Sequence, residues 1–311
     1  MEFKEVKLGE ISNINMGQSP RSEFYSEFEG TPFLQGNRTF QHIYPLIDTY
    51  TNKITKLANK NDILFSVRAP VGDMNIAPVD LCIGRGLCAI NSTNSNQEFL
   101  FYLLKSKLNE LESHSTGTIF SSVNKKTLEN FIVKVPSDSH QKNIGRLLSN
   151  LDKKIEINQN IIANLEELSQ TLFKRWFVDF EFPDENGNPY KSSGGEMVDS
   201  ELGKIPKNWK VDEIGNYIKI KSGKRPKNKV DSKDSENVVP VIGASKIMGY
   251  TNDYIYNEKI IIIGRVGTHG VIQRFSTRTW PSDNTFVITS DFESIIYQLL
   301  KSIDYVSLNR G

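Results

Sequence analysis

The stretch SHQKNIGRLLSNLDKKIEINQNIIANLEELSQTLFKRW, from Ser139 to Trp176, organises the rest of this 311-residue chain. It contains no proline and only one glycine, Gly145, and most of its residues are good helix formers. Apolar residues return every three or four positions over more than four heptads, which is typical of a helix that packs along another helix. The stretch therefore predicts one unbroken helix of roughly 55 Å. Its predicted subunit-pairing stripe consists of Ile144, Leu148, Leu151, Ile155, Asn158, Ile162, Leu165, Leu168 and Leu172.

Length and composition restrict the class of protein. A chain of this length predicts about two domains, and 38 Lys plus Arg against 37 Asp plus Glu give no global basic charge. A nucleic-acid surface would have to come from local clustering of charge. The N-terminus has no signal peptide and no apolar run is long enough to cross a membrane, so we expect a cytoplasmic protein. Cys82 and Cys88 predict buried thiols in a reducing compartment.

The first 138 residues predict a mixed α+β domain. Short apolar runs bounded by Gly, Pro and Asn indicate strands at Asp62–Val67, Met74–Ala77 and Gly86–Ile90. The amphipathic segment Asn96–His114 predicts a helix. A further strand, Phe131–Pro136, precedes the long helix.

The beginning of the chain recurs after the long helix. Three residues reappear 206 positions later, namely Gly9, Gly17 and Pro20 as Gly215, Gly223 and Pro226. The segment with Arg68 also corresponds to the one with Arg265, and the helix with Leu103 to the one with Leu299. We therefore predict a duplicated unit whose second copy ends early, on the order of eighty residues short.

The expected fold class is α+β, with two related mixed α/β domains separated by a long coiled-coil-forming helix. The predicted segments are a first domain at 1–138, the spacer helix at 139–176, a turn-rich linker at 177–208 and an incomplete second domain at 209–311. A helix this long inside a chain of two domains predicts a spacer.

Catalytic and metal-binding motifs are missing from the sequence. The four histidines are scattered, and no His-Glu-x-x-His, Ser/His/Asp or phosphate-cradling glycine pattern occurs. The glycines of IGRVGTHG, at 263–270, have the wrong spacing for a dinucleotide-binding turn, and a predicted strand follows them. No acidic cluster has the spacing of a nuclease metal site. We therefore expect no catalytic residue and no bound metal in this chain.

Basic and polar loop residues indicate where a nucleic acid could bind. A loop of the second copy is rich in lysine and arginine, and a run of this kind can neutralise several phosphates. The equivalent loop of the first copy has polar side chains that can also contact base edges, and arginines in turns after strands are common readers of guanine. The candidate DNA-binding residues are Gln18, Ser19, Arg21, Arg68, Arg85, Lys221, Lys224, Arg225, Lys227, Lys229, Arg265 and Arg278.

Each of these candidates has a simpler alternative. The basic loop is also consistent with a solvated surface. Any one of the arginines is as consistent with a structural salt bridge or an exposed charge as with a base contact. Because the two copies carry different polar residues on one scaffold, we expect them to read two different short sequences.

On the strength of two further motifs, the sequence resembles the specificity subunits of type I restriction-modification systems. A Pro-x-x-x-x-Gln element precedes the long helix, in PSDSHQKNIGRLLSNLDKKI from Pro136 to Ile155, with Gln141 and Asp152 at the matching places. The family usually has an acidic residue where this chain has His140. The segment FKRWFVDFEFP…GEMVDSELGKIPKNW, Phe173–Trp209, is also very similar to members of the family.

The resemblance implies a non-catalytic reader of double-stranded DNA that takes part in phage defence. Each target-recognition domain would bind one half of a split target, and paired helices would fix the gap between the halves. The helices would dock two modification subunits, which bind S-adenosylmethionine and methylate adenine. Restriction subunits would join for ATP- and Mg-dependent cleavage, and this chain itself would bind no cofactor.

The resemblance also identifies a departure. Members of the family pack two long helices antiparallel, and this sequence contains one. Three explanations stay open: a fragment, a naturally shortened allele, or a chain whose long helix pairs with that of a second copy. Two other function classes also stay open, namely a structural adaptor assembled through the long helix and a free-standing enzyme, although the missing motifs argue against the enzyme.

Overall fold

The computed structural model of the chain describes residues 2–108, 110, 122–265 and 270–305. Its contacts form two compact units, Met1–Gln159 and Asn160–Gly311, and the boundary between them falls inside the long helix. Each unit combines short strands with helices, so the predicted α+β class is confirmed.

The first unit contains the strands and helices expected before the long helix. Its strands are β1 (Lys4–Lys7), β2 (Ser12–Met16), β3 (Tyr25–Ser26), β4 (Thr31–Leu34), β5 (Tyr50–Thr51), β6 (Leu57–Ala58), β7 (Ile63–Ser66), β8 (Met74–Ile76), β9 (Leu81–Ile83), β10 (Leu87–Ser92) and β11 (Ile132–Val135). Its short helices are α1 (Leu8–Ile11), α2 (Gln97–Ser106) and α3 (Lys125–Glu129). The strands predicted in this region are confirmed, and so is the helix as far as Ser106; residues 109 and 111–114 of that prediction lie outside the described residues.

Two sheets of the first unit share a core. An antiparallel sheet has the strand order β2-β10-β7-β8, and a five-stranded sheet has the order β3-β5-β4-β9-β6. The continuous apolar run of β7 is explained by burial on both faces: Ile63 and Phe65 face a cluster that includes α2, whereas Leu64 faces the second sheet. Strands β1 and β11 form a separate antiparallel pair.

Both cysteines are buried free thiols, as predicted from the sequence. Cys88 lies in β10 within the core shared with α2. Burial raises the pKa of its thiol to about 12, because a thiolate would lose its hydration there.

The long helix, α4 (Asp138–Phe173), is unbroken over 36 residues, and a π-helical turn, Lys174–Val178, continues it. At about 1.5 Å per residue its length is roughly 54 Å, so the predicted long helix is confirmed. None of the helices in the described part of the chain is both long enough and apolar enough to cross a membrane.

The first half of α4 is part of the first unit. Gly145 lies against the start of α2, where an added Cβ would be 2.6 Å from the backbone nitrogen of Phe99. The Tyr102 hydroxyl donates to the Asp152 carboxylate at 2.7 Å. Burial, and then this hydrogen bond, raises the pKa of Tyr102. The small residue and the polar contact together hold two helices in close packing.

Gln141 explains the Pro-x-x-x-x-Gln element in physical terms. Its side chain is only 5% exposed, and its amide nitrogen donates to the carbonyl oxygen of Pro136 at 2.9 Å. Its amide oxygen accepts from the side chains of Asn94 and Asn96, both at 3.2 Å. The glutamine therefore joins the end of β11, the first turn of α4 and the loop before α2.

The second unit contains the end of α4 and nine named strands among its described residues. These are β12 (Met197–Ser200), β13 (Gly203–Pro206), β14 (Lys219–Ser222), β15 (Val239–Ile242), β16 (Ile247–Thr251), β17 (Ile260–Gly264), β18 (Ile272–Phe275), β19 (Trp280–Pro281) and β20 (Thr285–Thr289). One further helix, α5, spans Glu293–Lys301. Its Lys301 ammonium lies 3.4 Å from the Glu166 carboxylate of α4.

The two units repeat one topology. The sheet β14-β20-β17-β18 has the same order as β2-β10-β7-β8. The parallel pair β15 and β19 corresponds to the parallel pair β4 and β9. A helix follows the equivalent strands, α2 after β10 and α5 after β20. The predicted duplication is confirmed by this agreement.

The strand register corrects one detail of the repeat. Ser66, the last residue of β7, lies opposite Leu87, and Gly264, the last residue of β17, lies opposite Thr285. The residue that follows β7, Val67, is therefore equivalent to the residue that follows β17, Arg265. Arg265 therefore corresponds to Val67, whereas the sequence comparison paired it with Arg68.

The segment predicted as a linker has its own packed structure. Strands β12 and β13 form an antiparallel hairpin in it. The ring of Phe182 stacks on Trp209 with centroids 5.6 Å apart and on Tyr190 with centroids 4.7 Å apart. Phe177 and Phe180 also contact the Trp209 ring. Contacts among these half-buried aromatic rings hold the segment together.

Candidate nucleic-acid interface

In each unit, three loops meet at one edge of the four-stranded sheet. Because the strands are antiparallel, the ends of β2 and β7 lie beside the start of β10. We call the loops there the first loop edge: 17–21 after β2, 67–72 after β7 and 84–86 before β10. The second loop edge is equivalent: 223–227 after β14, 265 after β17 and 282–284 before β20.

Hydrogen bonds join two of the loops of the first loop edge. The backbone nitrogen of Gln18 donates to the carbonyl oxygen of Ile83 at 2.9 Å. The backbone nitrogen of Arg85 donates to the Ser19 hydroxyl at 3.1 Å. Three candidate residues, widely separated in the sequence, are therefore neighbours.

Glycines allow this close approach. A Cβ on Gly17 would overlap the carbonyl oxygen of Gly84, and one on Gly86 would lie 2.6 Å from the carbonyl oxygen of Gln35. The backbone nitrogen of Gly86 in fact donates to that Gln35 oxygen at 3.1 Å. The loops could not adopt this arrangement with side chains at positions 17 and 86.

The arginines after β2 and β7 complete the first loop edge. The backbone nitrogen of Val67 donates to the carbonyl oxygen of Gly86 at 2.9 Å, which places the exposed Arg68 beside the turn that carries Arg85. Arg21 lies two residues after Ser19, is 85% exposed and has its guanidinium 3.8 Å from Glu23. An exposed pair at this distance is weak.

The second loop edge repeats the same connections. The backbone nitrogen of Lys224 donates to the carbonyl oxygen of Pro281 at 2.9 Å, as Gln18 does to Ile83. The backbone nitrogen of Arg265 donates to the carbonyl oxygen of Asn284 at 2.8 Å, as Val67 does to Gly86. The fold therefore brings Lys224, Arg225 and Arg265 to one edge.

The remaining basic candidates of the second unit differ in their surroundings. Lys221 and Lys227 are exposed on either side of Lys224. The Lys229 ammonium already has two partners: it donates to the Asp231 carboxylate at 3.0 Å and to the carbonyl oxygen of Met248 at 2.9 Å. Lys229 therefore has a local ion pair that the other basic candidates of this loop lack among the described residues, and its contact with DNA stays a prediction.

Arg278 lies outside the three loops that form the second loop edge. It precedes β19, four residues before Ser282, and its guanidinium lies over the Tyr254 ring at 5.0 Å. Arg265 in contrast lies at the edge itself, with its guanidinium 5.7 Å from the Phe286 ring.

Two residues of the loop edges were missed by the sequence reasoning. The Thr55 hydroxyl donates to the carbonyl oxygen of Gln18, so it supports the first loop edge. Asp283, which is not among the candidate residues, lies exposed in a turn of the second loop edge, in the place that Arg85 occupies in the first. Alignment of the strand starts, β10 with β20, would have indicated this equivalence. No group of three metal-ligating side chains occurs among the described residues.

The predicted pairing stripe of α4 is mostly uncovered within the described part of the chain. Ile144 is half-buried and packs against the core of the first unit. Leu148 and Leu172 are half-buried, and Asn158 is exposed. The exposed fractions of the others are 53% for Leu151, 44% for Ile155, 58% for Ile162, 57% for Leu165 and 53% for Leu168. The pairing of all nine residues stays a prediction.

Comparison with known proteins decides the family. The sequence model described as the type I restriction modification DNA specificity domain matches residues 1–167 and again residues 206–309. The chain belongs to this family. The two separate matches coincide with the two copies of the repeated topology.

Individual relatives match over different lengths. A Methanocaldococcus jannaschii protein assigned as the MjaX type I restriction enzyme specificity subunit is 40% identical over 187 residues, 55% of this chain and 44% of the relative. The MjaIX specificity subunit of the same organism is 27% identical over 308 residues, 86% of this chain and 69% of the relative. This chain therefore spans less than half of the first relative and about two thirds of the second.

A solved structure supports the fold of the specificity domains. The S subunit of a type I restriction-modification system from M. genitalium superposes with a TM-score of 0.60, over 96% of this chain and 76% of that one. Its sequence identity is 17%, so the likeness concerns the fold alone.

Proposed function

We propose that this chain is a DNA-reading specificity subunit that performs no chemistry itself. It reads a bipartite target and directs adenine methylation and restriction by partner subunits. The observation that carries the proposal is the pair of loop edges: one backbone hydrogen-bond network occurs twice and presents different polar side chains each time. A rigid backbone with variable side chains is suited to reading two different sequences.

The side chains of the loop edges match the chemistry of the DNA grooves. Arginine donates two parallel hydrogen bonds to guanine, and glutamine can pair with adenine. In the first unit these groups are Gln18, Arg68 and Arg85, whereas in the second Lys224 and Arg225 add positive charge for phosphates. We infer that the first edge relies more on base contacts and the second more on backbone attraction.

We also propose that α4 fixes the spacing of the half-sites. An unbroken helix of 36 residues takes part in the packing of both units, through Asp152 in the first and Glu166 in the second. A straight α-helix is far stiffer than a flexible linker of equal length. A constant gap between the two half-sites follows from this proposal.

The exposed stripe of α4 is proposed as the assembly surface. It would contact a second long helix, including that of a second copy, and two modification subunits that bind S-adenosylmethionine. Restriction subunits that use ATP and Mg would join this core. The support is the row of half-exposed leucines and isoleucines, each of which would contribute at most about 1.5–3 kcal/mol on full burial.

Two measurements test the proposed function. Duplex binding of the full chain, followed in gel shifts at rising salt, should weaken linearly on log–log axes as phosphate contacts release counterions. Mapping methylated adenines after co-expression with a modification subunit should then give a bipartite motif with one constant gap. No duplex binding even at low salt would refute the proposal and favour an adaptor role.

A further inference from the structure

One turn has the same construction in both units and carries opposite charges at its apex. In the first unit the backbone nitrogen of Leu87 donates to the carbonyl oxygen of Gly84 at 3.0 Å, which closes a turn around Arg85. In the second, Thr285 donates to Ser282 at 3.1 Å, which closes the equivalent turn around Asp283.

A neighbouring strand also fixes each turn by a backbone hydrogen bond: β4 in the first unit and β15 in the second. The backbone nitrogen of Gly84 donates to the carbonyl oxygen of Leu34 at 2.8 Å, and that of Ser282 donates to Ile242 at 2.9 Å. The neighbouring loop holds the far side, through the hydrogen bonds from Val67 and Arg265 already described. The backbone is therefore fixed on several sides, whereas the apex side chain is exposed.

Side-chain volume is exchanged between the two copies so that the turn keeps its place. A Cβ on Gly84 would lie 2.7 Å from the side-chain oxygen of Gln35. In the second unit the residue after Ile242 is Gly243, and the position of Gly84 is taken by Ser282. The first unit has the larger residue after β4 and glycine in the turn, whereas the second has glycine after β15 and the larger residue in the turn. The backbone of the turn therefore keeps the same position with different residues.

The exposed apex groups have complementary recognition chemistry. The Arg85 guanidinium can only donate hydrogen bonds, whereas the Asp283 carboxylate accepts them. Arginine pairs with the acceptors of guanine, and aspartate accepts from the N4 amino group of cytosine. Among the described residues, Asp283 has no basic partner within 4.0 Å, although Lys224, Arg225 and Arg265 belong to the same edge. A carboxylate without a cationic partner repels the DNA phosphates. If Asp283 contributes to DNA recognition, it must therefore do so by favouring one base over the others.

We infer that the apex of this turn is a specificity-determining position of each half-site: Arg85 selects guanine in the first, and Asp283 selects a base with an amino donor, cytosine, in the second. This inference rests on the proposed function, because it names residues that read the DNA. The sign of the Asp283 contribution distinguishes it from a structural role. Removal of its charge strengthens binding to unrelated DNA and weakens discrimination at one base pair.

The test uses the full chain in complex with its modification subunit and a pool of duplexes with randomised sequence. The variants are Arg85→Gln and Asp283→Asn. Their controls, Lys60→Gln and Glu258→Gln, remove the same charges from exposed residues beside the opposite edge of each sheet. Bound duplexes are sequenced, and affinity for an unrelated duplex is measured separately. A further variant, Asp283→Arg, tests whether the selected base can be exchanged.

The expected results differ in sign between the two units. Arg85→Gln should lower affinity for all duplexes and lose roughly 5- to 150-fold discrimination at one base pair of the first half-site. Asp283→Asn should raise affinity for the unrelated duplex, lose discrimination of similar size at one base pair of the second half-site and leave the first unchanged. Asp283→Arg should select guanine in place of cytosine on the contacted strand.

Other outcomes overturn the inference. If Asp283→Asn leaves the selected sequence unchanged, or weakens binding to every duplex equally, the apex does not determine specificity. The apex is likewise excluded as a specificity determinant if the control variants change the selected sequence as much as the apex variants do. If the wild-type complex enriches no sequence, the proposed function itself fails, and this inference fails with it.

Discussion

Replacement of Gln141 by alanine tests how the long helix is attached to the first unit. The substitution removes a donor to Pro136 at 2.9 Å and an acceptor for Asn94 and Asn96 at 3.2 Å each. At about 0.5–1.5 kcal/mol for each of these three hydrogen bonds, the free energy of unfolding of the first unit should fall by about 1.5–4.5 kcal/mol. With a typical urea dependence, the midpoint should fall by roughly 1–2 M.

The distribution of tryptophan allows a clean assay. Trp176, Trp209 and Trp280 are the three tryptophans of the chain, and all belong to the second unit. Urea unfolding followed by tryptophan fluorescence should therefore be unchanged in Gln141→Ala, whereas the transition seen by far-ultraviolet circular dichroism should move to lower urea. The control is Gln159→Ala, an exposed glutamine of the same helix. Equal shifts in both variants would refute the reasoning from the buried amide.

Three further predictions concern assembly and DNA binding. Leu151→Glu combined with Leu165→Glu should abolish self-association or modification-subunit binding in light scattering, while circular dichroism stays native; intact complexes would contradict the assignment of the stripe. Lys227→Gln should reduce the log–log salt slope by about 0.9 for each lost phosphate contact, whereas Lys229→Gln should change it less because its ammonium contacts an aspartate; equal changes would refute this difference. Gly17→Ala should force the first loop edge apart, since its Cβ would overlap a carbonyl oxygen, and should remove selection of the first half-site only; retained selection there would show that the edge is not required.

The elements that could be predicted from the sequence are those with a local signal. The periodic apolar residues of α4 and the absence of proline gave one correct helix, because helix formation depends on spacing along the chain. The recurrence of Gly17 as Gly223 indicated the duplication, because both positions require a residue without a side chain. Both signals are visible in the order of residues, although the reason for the two glycines, a close approach to the backbone of Gly84 or Ser282, is visible only in the folded chain.

Other features could not be predicted because they depend on contacts between distant residues. The segment 177–208 has the composition of a linker, and only the stacking of Phe182 on Trp209 and Tyr190 makes it a folded element. The pairing of Arg265 with Arg68 was one residue out, because sequence similarity does not contain the strand register.

The order of the amino acids was enough to establish that a long helix joins two copies of one small α+β unit and that their loops carry polar and basic groups. Helical periodicity is a local property of the chain, and the recurrence of the glycines is visible in the order of residues, so both can be read without coordinates. The folded chain was needed to show which of those groups lie together. It was also needed to show that Lys229 forms an ion pair with Asp231, and that Asp283 of the second unit is equivalent to Arg85 of the first. The physical reason is that hydrogen bonds and ion pairs act through space, over a few ångströms, between residues that the fold brings together from far apart in the chain.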